Sequence, residues 1–122
     1  MTQTILVVDD ETELVQAMQI RLQQAGYGVL CAYDGQAALD KVHEENPDLV
    51  ILDLMLPRID GYEVCRMLKL DEKYKKIPVI MLTAKAQEPD EKLGHEAGAD
   101  AYITKPFEHE AVLANIKELL GD

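Results

Sequence analysis

No stretch of this sequence stays apolar for long. The first apolar run, ILVV at 5–8, is broken at once by Asp9, Asp10 and Glu11, which is far too short for a membrane span or a signal peptide. The expected location is therefore the cytoplasm. Cysteine is scarce too: Cys31 and Cys65 stand far apart with no CxxC or Cys/His spacing, which argues against a disulfide framework or a zinc site and leaves buried free thiols. Lysine and arginine number 12 against 23 aspartates and glutamates, a formal net charge of −11. Gripping DNA or RNA requires clustered cations to neutralise phosphates, so no direct nucleic-acid binding is expected, and Lys73, Lys75 and Lys76 read as a solvated loop. The three histidines, His43, His95 and His109, share no ligand spacing and none ends a strand, so none reads as a phospho-acceptor. Repeats, low-complexity tracts and linkers are absent.

What is present fits one domain spanning 1–122. Hydrophobic residues make up 48% and charged residues 29% of the 122, a globular mixture in a chain long enough to bury a substantial core. Five short runs, centred on 5–8, 29–32, 49–52, 79–82 and 101–103, are apolar at consecutive positions, the pattern of strands covered on both faces. Between them lie apolar residues at helical spacing: Leu14, Met18, Leu22 and Ala25; Ala37, Ala38 and Val42; Tyr62, Val64, Cys65 and Leu68; Leu93 and Ala97; Val112, Leu113, Ile116, Leu119 and Leu120. Gly26, Asn46-Pro47 and Gly98 stand where helices should stop, and Asp34 and Asp60, each before a glycine, can cap the next one. Strand and helix alternate five times, so the expected fold is α/β, a (βα)5 doubly wound parallel sheet.

In such sheets ligands bind beyond the carboxyl ends of the strands. Those ends carry Asp9 and Asp10 after the first strand, Asp53 after the third, Thr83 after the fourth and Lys105 after the fifth. Any one alone has a plainer reading, since an aspartate at a strand end often caps a helix, a threonine bonds backbone, and a lysine points to water. Together they make a site. Three carboxylates in one cleft repel each other, a hard divalent cation relieves that repulsion, and Mg2+ suits phosphate-bearing sites. Lys105 supplies a compact cation and Thr83 a hydroxyl donor, a set that suits phosphoryl transfer to an aspartate.

VVDDE at 7–11, LVILDLMLPRIDGYE at 49–63, VIMLTA at 79–84 and GADAYITKPF at 98–107 resemble response-regulator receiver domains, in order and over essentially the whole chain. The resemblance implies a flavodoxin-like sheet with strand order 2-1-3-4-5 and a signalling switch of a two-component system or phosphorelay. It makes Asp53 the phospho-acceptor, Asp10 a direct Mg2+ ligand, Asp9 a ligand largely through water, and Met55 a contributor of its backbone carbonyl to the metal. It assigns Thr83 and Lys105 to the phosphoryl oxygens, places a cis peptide between Lys105 and Pro106, and makes Tyr102 the aromatic switch that turns inward as Thr83 moves. The implied partners are a histidine kinase or histidine phosphotransfer protein, and a downstream protein or output domain on the face formed by the fourth helix, fifth strand and fifth helix. The domain would catalyse only its own phosphorylation and dephosphorylation. Arg58 departs from the small residues, often glycine, common in that loop, and Met55 and Lys85 occupy positions where the family varies.

The segment 89–97 reads as the weakest helix, with Pro89 near its start, Gly94 inside it and few apolar anchors; it follows Thr83 and is the part expected to shift. The first helix carries more apolar positions than one core stripe needs, and Leu14 and Ala17, beside the acidic cleft, are candidates to meet a kinase. A haloacid-dehalogenase-type phosphatase would need a second aspartate where Met55 stands. A flavodoxin would need a phosphate cradle where Asp9, Asp10 and Glu11 stand. A free-standing receiver and the receiver part of a longer regulator read alike.

Overall fold

The computed structural model describes residues 2–84 and 98–121. Nine elements follow in order: β1 (Thr4–Val8), α1 (Thr12–Gln24), β2 (Gly28–Ala32), α2 (Gly35–Glu45), β3 (Leu49–Asp53), α3 (Gly61–Leu70), β4 (Val79–Thr83), β5 (Ala101–Thr104) and α4 (His109–Leu120). The helix expected over 89–97, with Lys85 and His95, lies outside the described residues, so α4 here is the fifth helix read from the sequence.

All neighbouring strands pair in parallel, in the order β2-β1-β3-β4-β5. Because successive side chains of a strand point to opposite faces, consecutive apolar residues feed two cores. Leu6, Val8, Val50, Leu52, Val79 and Met81 pack with Ala38, Leu39 and Val42 of α2 and with Val64, Cys65 and Leu68 of α3. Ile5, Val7, Leu49, Ile51, Ile80 and Leu82 pack on the other face with Val15, Met18 and Leu22 of α1 and with Val112 and Ile116 of α4. This is the doubly wound arrangement.

Burial on both faces holds throughout β3 and β4 and for all but the first residue of β1. The outer strands depart from it: β2 is largely half-buried, and β5 has only Ile103 buried. An edge strand has a neighbour on one side only, so less of its surface is covered even where its residues are as apolar as those of a central strand. Of the surplus apolar positions in and just after α1, Val15, Met18 and Leu22 are buried and Leu14 is half-buried against the core, while Ala17, Ile20 and the C-cap Ala25 are exposed.

Local chemistry fixes where the helices begin and end. Asp34 Oδ1 accepts from the Ala37 N–H at 2.8 Å and Asp60 Oδ1 from the Glu63 N–H at 2.9 Å, capping α2 and α3. Gly26 and Asn46 adopt positive φ just beyond α1 and α2, where a left-handed residue ends a helix, and Gly98 also has positive φ, shortly before β5. Lys69, near the end of α3, donates to the Ile77 carbonyl at 2.7 Å and to Asp100 Oδ2 at 2.8 Å. Asp100 Oδ2 also accepts from the Val79 N–H at 2.8 Å, so one ion pair joins the entrances of β4 and β5.

Candidate functional site

Because the strands run parallel, their carboxyl ends lie along one edge of the sheet, and the register sets their polar residues side by side. Asp53 pairs with Leu82 across β3 and β4, and Thr83 pairs with Thr104 just before Lys105. Asp9 lies one residue beyond the Val8–Leu52 pair. Asp9, Asp53 and Thr83 are the described polar residues that are buried; Asp53 and Thr83 end β3 and β4, and Asp9 directly follows β1. Placing them there costs solvation that only local partners can offset.

The carboxylates of Asp9, Asp10 and Asp53 each bring an oxygen to within 4.8 Å of the others. Lys105 stands among them, with Nζ 2.7 Å from Asp9 Oδ2, 3.1 Å from Glu11 Oε1 and 3.3 Å from Asp53 Oδ2. Backbone amides hold the remaining oxygens: the Met55 N–H donates to Asp53 Oδ1 at 3.1 Å, and the Glu11 N–H to Asp9 Oδ1 at 3.0 Å. Met55 itself turns its side chain to solvent, 70% exposed.

The electrostatics follow. Burial, then the neighbouring Asp9 charge, pushes the Asp53 carboxyl up to about 6, against the pull of the Met55 N–H and Lys105. Burial disfavours the Lys105 ammonium, but Asp9, Asp53 and Glu11 outweigh that and hold its pKa above the ordinary lysine value. Asp9 Oδ2, although so close to Lys105 Nζ, has no hydrogen bond of acceptable geometry. A buried carboxylate oxygen that lacks such a bond, in a set of hard oxygen donors, fits a small divalent cation.

The surrounding backbone leaves little room to move. Leu54 N–H donates to the Leu82 carbonyl and Gly61 N–H to the Leu54 carbonyl, both at 2.9 Å. Lys105 N–H donates to the Thr83 carbonyl at 2.6 Å, and the Lys105–Pro106 peptide is cis. Thr83 is 1% exposed; Tyr102, half-buried and paired with Met81, packs against the core beneath α2 and α3. Beside the acidic cleft, Glu11, Leu14, Ala17, Ala84, Lys105, Pro106, Phe107 and His109 line a groove of about 570 Å³.

Residues 5–117 match the family model of the response regulator receiver domain. The chain belongs to that family. Solved structures agree over nearly the full length of this receiver. The chemotaxis response regulator CheY4 of Vibrio cholerae is 32% identical with a TM-score of 0.92, over 98% of this chain and 100% of that one. The signal receiver domain of a signal transduction histidine kinase from Syntrophus aciditrophicus is 33% identical with a TM-score of 0.93, over 98% and 91%. The BeF3-activated DrrB receiver domain is 40% identical with a TM-score of 0.89, over the whole of both chains. Receiver domains are signalling domains of two-component systems, which interact with a histidine kinase or phosphotransfer protein and with output partners. No described helix of this receiver is long and apolar enough to cross a membrane.

Of the residues singled out in the sequence, Asp9, Asp10, Asp53, Thr83, Lys105 and Pro106 lie at or next to strand ends on this edge, while Tyr102 lies within β5, opposite Met81. Two neighbours escaped that reading. Glu11 reaches Lys105 from the start of α1, a contact between residues 94 apart in sequence. Gly61 packs against the main chain of Asp53 so closely that a Cβ there would stand 2.0 Å from the Asp53 carbonyl oxygen. The dipeptide Asp60-Gly61 signals a turn, but nothing in it signals what the glycine touches.

Proposed function

We propose that this receiver is a phosphorylation-dependent switch of a two-component system or phosphorelay, with Asp53 as the residue that accepts the phosphoryl group. The observation that carries the reading is the convergence of Asp9, Asp10 and Asp53 on one cleft, with Lys105 Nζ 3.3 Å from Asp53 Oδ2.

Asp10, Asp9 and Asp53, with the Met55 backbone carbonyl, are the residues that would hold Mg2+. Bound there, the ion would screen the cleft's negative charge so that an anionic donor can approach and would stabilise the transferring phosphoryl oxygens. The chain's own groups do the rest. The Met55 N–H holds Asp53 Oδ1 and the Lys105 ammonium holds Oδ2, which together orient the attacking carboxylate. Lys105 neutralises charge on the phosphoryl group, acting as a compact cation already in place. The Thr83 hydroxyl donates to a phosphoryl oxygen, and its movement lets Tyr102 turn inward.

The apolar groove beside the cleft, with Leu14 and Ala17 on one wall and Pro106 and Phe107 on the other, suits docking of the kinase or phosphotransfer partner. Output would pass through β5, α4 and the helix expected over 89–97. The reaction is confined to the domain's own phosphorylation and dephosphorylation, needs no nucleic-acid contact, and belongs in the cytoplasm.

The relative that is activated by BeF3 suggests the test. With Mg2+ and beryllofluoride, 19F NMR should give bound resonances on the parent chain and none on Asp53→Asn. Equal resonances on both chains, or none on either, would refute the assignment.

A further inference from the structure

Lys105 is surrounded by three carboxylates of different character. The Asp9 side chain is fully buried, that of Asp53 is 8% exposed, and that of Glu11 is 62% exposed. The Lys105 ammonium donates to Glu11 Oε1 at 3.1 Å and to Asp53 Oδ2 at 3.3 Å, while Asp9 Oδ2 lies 2.7 Å away without a hydrogen bond. A phosphoryl oxygen that arrives on Asp53 draws on the same ammonium, so it competes with the partners already there.

Asp53 is itself the reacting group, and Asp9, fully buried, faces Lys105 at 2.7 Å without a hydrogen bond to give up. Glu11 can exchange Lys105 for water at little cost, since its carboxylate already faces solvent. Its main chain stays fixed whatever the side chain does: the N–H donates to Asp9 Oδ1 at 3.0 Å, and the carbonyl accepts from the Val15 N–H at 3.1 Å. Glu11 is thus the contact built to break.

We propose that Glu11 is a positioning residue that competes with the incoming phosphoryl group for the Lys105 ammonium and thereby slows phosphorylation of Asp53. The inference rests on the reading of Asp53 as acceptor. With acetyl phosphate as donor, an Asp53 carboxylate oxygen forms a bond to phosphorus as the bond from phosphorus to the acetyl oxygen breaks. The electron pair leaves on acetate, and no proton changes owner. During that step a Lys105 N–H turns from Glu11 to a phosphoryl oxygen.

Three variants separate contact from charge. Glu11→Gln removes the charge, Glu11→Asp keeps it but draws it back by one methylene, and Glu13→Gln removes an equal charge from the exposed first turn of α1. Phosphorylation of the full chain by acetyl phosphate and Mg2+, followed by intact mass, should be about two- to five-fold faster in Glu11→Gln, the range expected for releasing one exposed ion pair. Glu11→Asp should gain part of that, and Glu13→Gln should stay at the parent rate. Without donor or metal, the Lys105 side-chain 1H–15N resonance should shift in both Glu11 variants and not in Glu13→Gln. The proposal is overturned by a parent-like Glu11→Gln rate, by equal acceleration in Glu13→Gln, by a parent-like Glu11→Asp, or by an unmoved Lys105 resonance. A parent chain that takes no phosphate while the Lys105 resonance shifts as described would instead remove Asp53 as acceptor, and with it the competition.

Discussion

Gly61 and Asp53 are in backbone contact: a side-chain carbon on Gly61 would stand 2.0 Å from the Asp53 carbonyl oxygen and 2.8 Å from the Leu54 Cα. The start of α3 thus presses on the end of β3, and Gly35 at the start of α2 presses in the same way on the carbonyl of Ile59. The loop that follows Asp53 is held between two helix N-termini. Asp53 sits where it does because both glycines allow that approach.

Gly61→Ala should therefore unfold more easily and misplace Asp53 as well. Overpacking against main chain, which cannot rotate away, should cost about 1–3 kcal/mol or more. Gly28→Ala is the control, since its nearest neighbour would be 3.5 Å away, an ordinary contact. Urea unfolding of both variants checks this, and a Gly61→Ala midpoint equal to that of Gly28→Ala would contradict it.

The raised pKa of Asp53, from 3.8 to about 6, has a definite sign in stability. A carboxyl with a higher pKa when folded binds more protons in the folded state, so it lowers stability as pH rises from about 4 to about 6. Asp53→Asn lacks this group. In EDTA, its stability relative to the parent should therefore climb across that interval, by something of the order of 1–3 kcal/mol, and level off above it. Denaturant titrations at pH 4.5 and 7 measure the change; a difference that does not vary with pH would rule the effect out.

Arg58 adopts φ 68° in the loop after Asp53, a left-handed conformation that favours glycine. Its contact with Asp34 at 3.8 Å is an exposed ion pair and offsets little of that strain. Arg58→Gly should be unchanged or more stable by up to about 1 kcal/mol in thermal or urea unfolding. A loss beyond 1 kcal/mol would show that the ion pair outweighs the strain.

Met55 places an apolar, solvent-facing side chain next to Asp53, where it is poorly suited to orient an attacking water. The phosphorylated chain should lose its phosphate slowly, and Met55→Asn should shorten the lifetime. Following the decay of the phosphorylated mass with time compares them; equal decay would remove Met55 from the account.

Most of the architecture was legible because parallel strands covered by helices need unbroken apolar runs, and each run is set off by residues that start or stop helices. Asp34 and Asp60 cap as their positions suggest, and strand ends delivered Asp9, Asp10, Asp53, Thr83 and Lys105 to one edge. Less legible was whatever depends on contact between distant segments. The exposure of β2 follows from its place at the sheet edge, which composition alone does not reveal. Glu11 resembled any acidic residue opening a helix until the loop after β5 brought Lys105 against it. Gly61 and Arg58 carry backbone constraints, in close approach and in φ, that no side-chain pattern encodes.

The central claim is that this receiver takes a phosphoryl group on Asp53. Intact mass after incubation with Mg2+ and acetyl phosphate tests it most directly, with Asp53→Asn alongside. The parent chain should gain the mass of one phosphoryl group and the variant none. An unmodified parent, or equal labelling of the variant, would contradict the account.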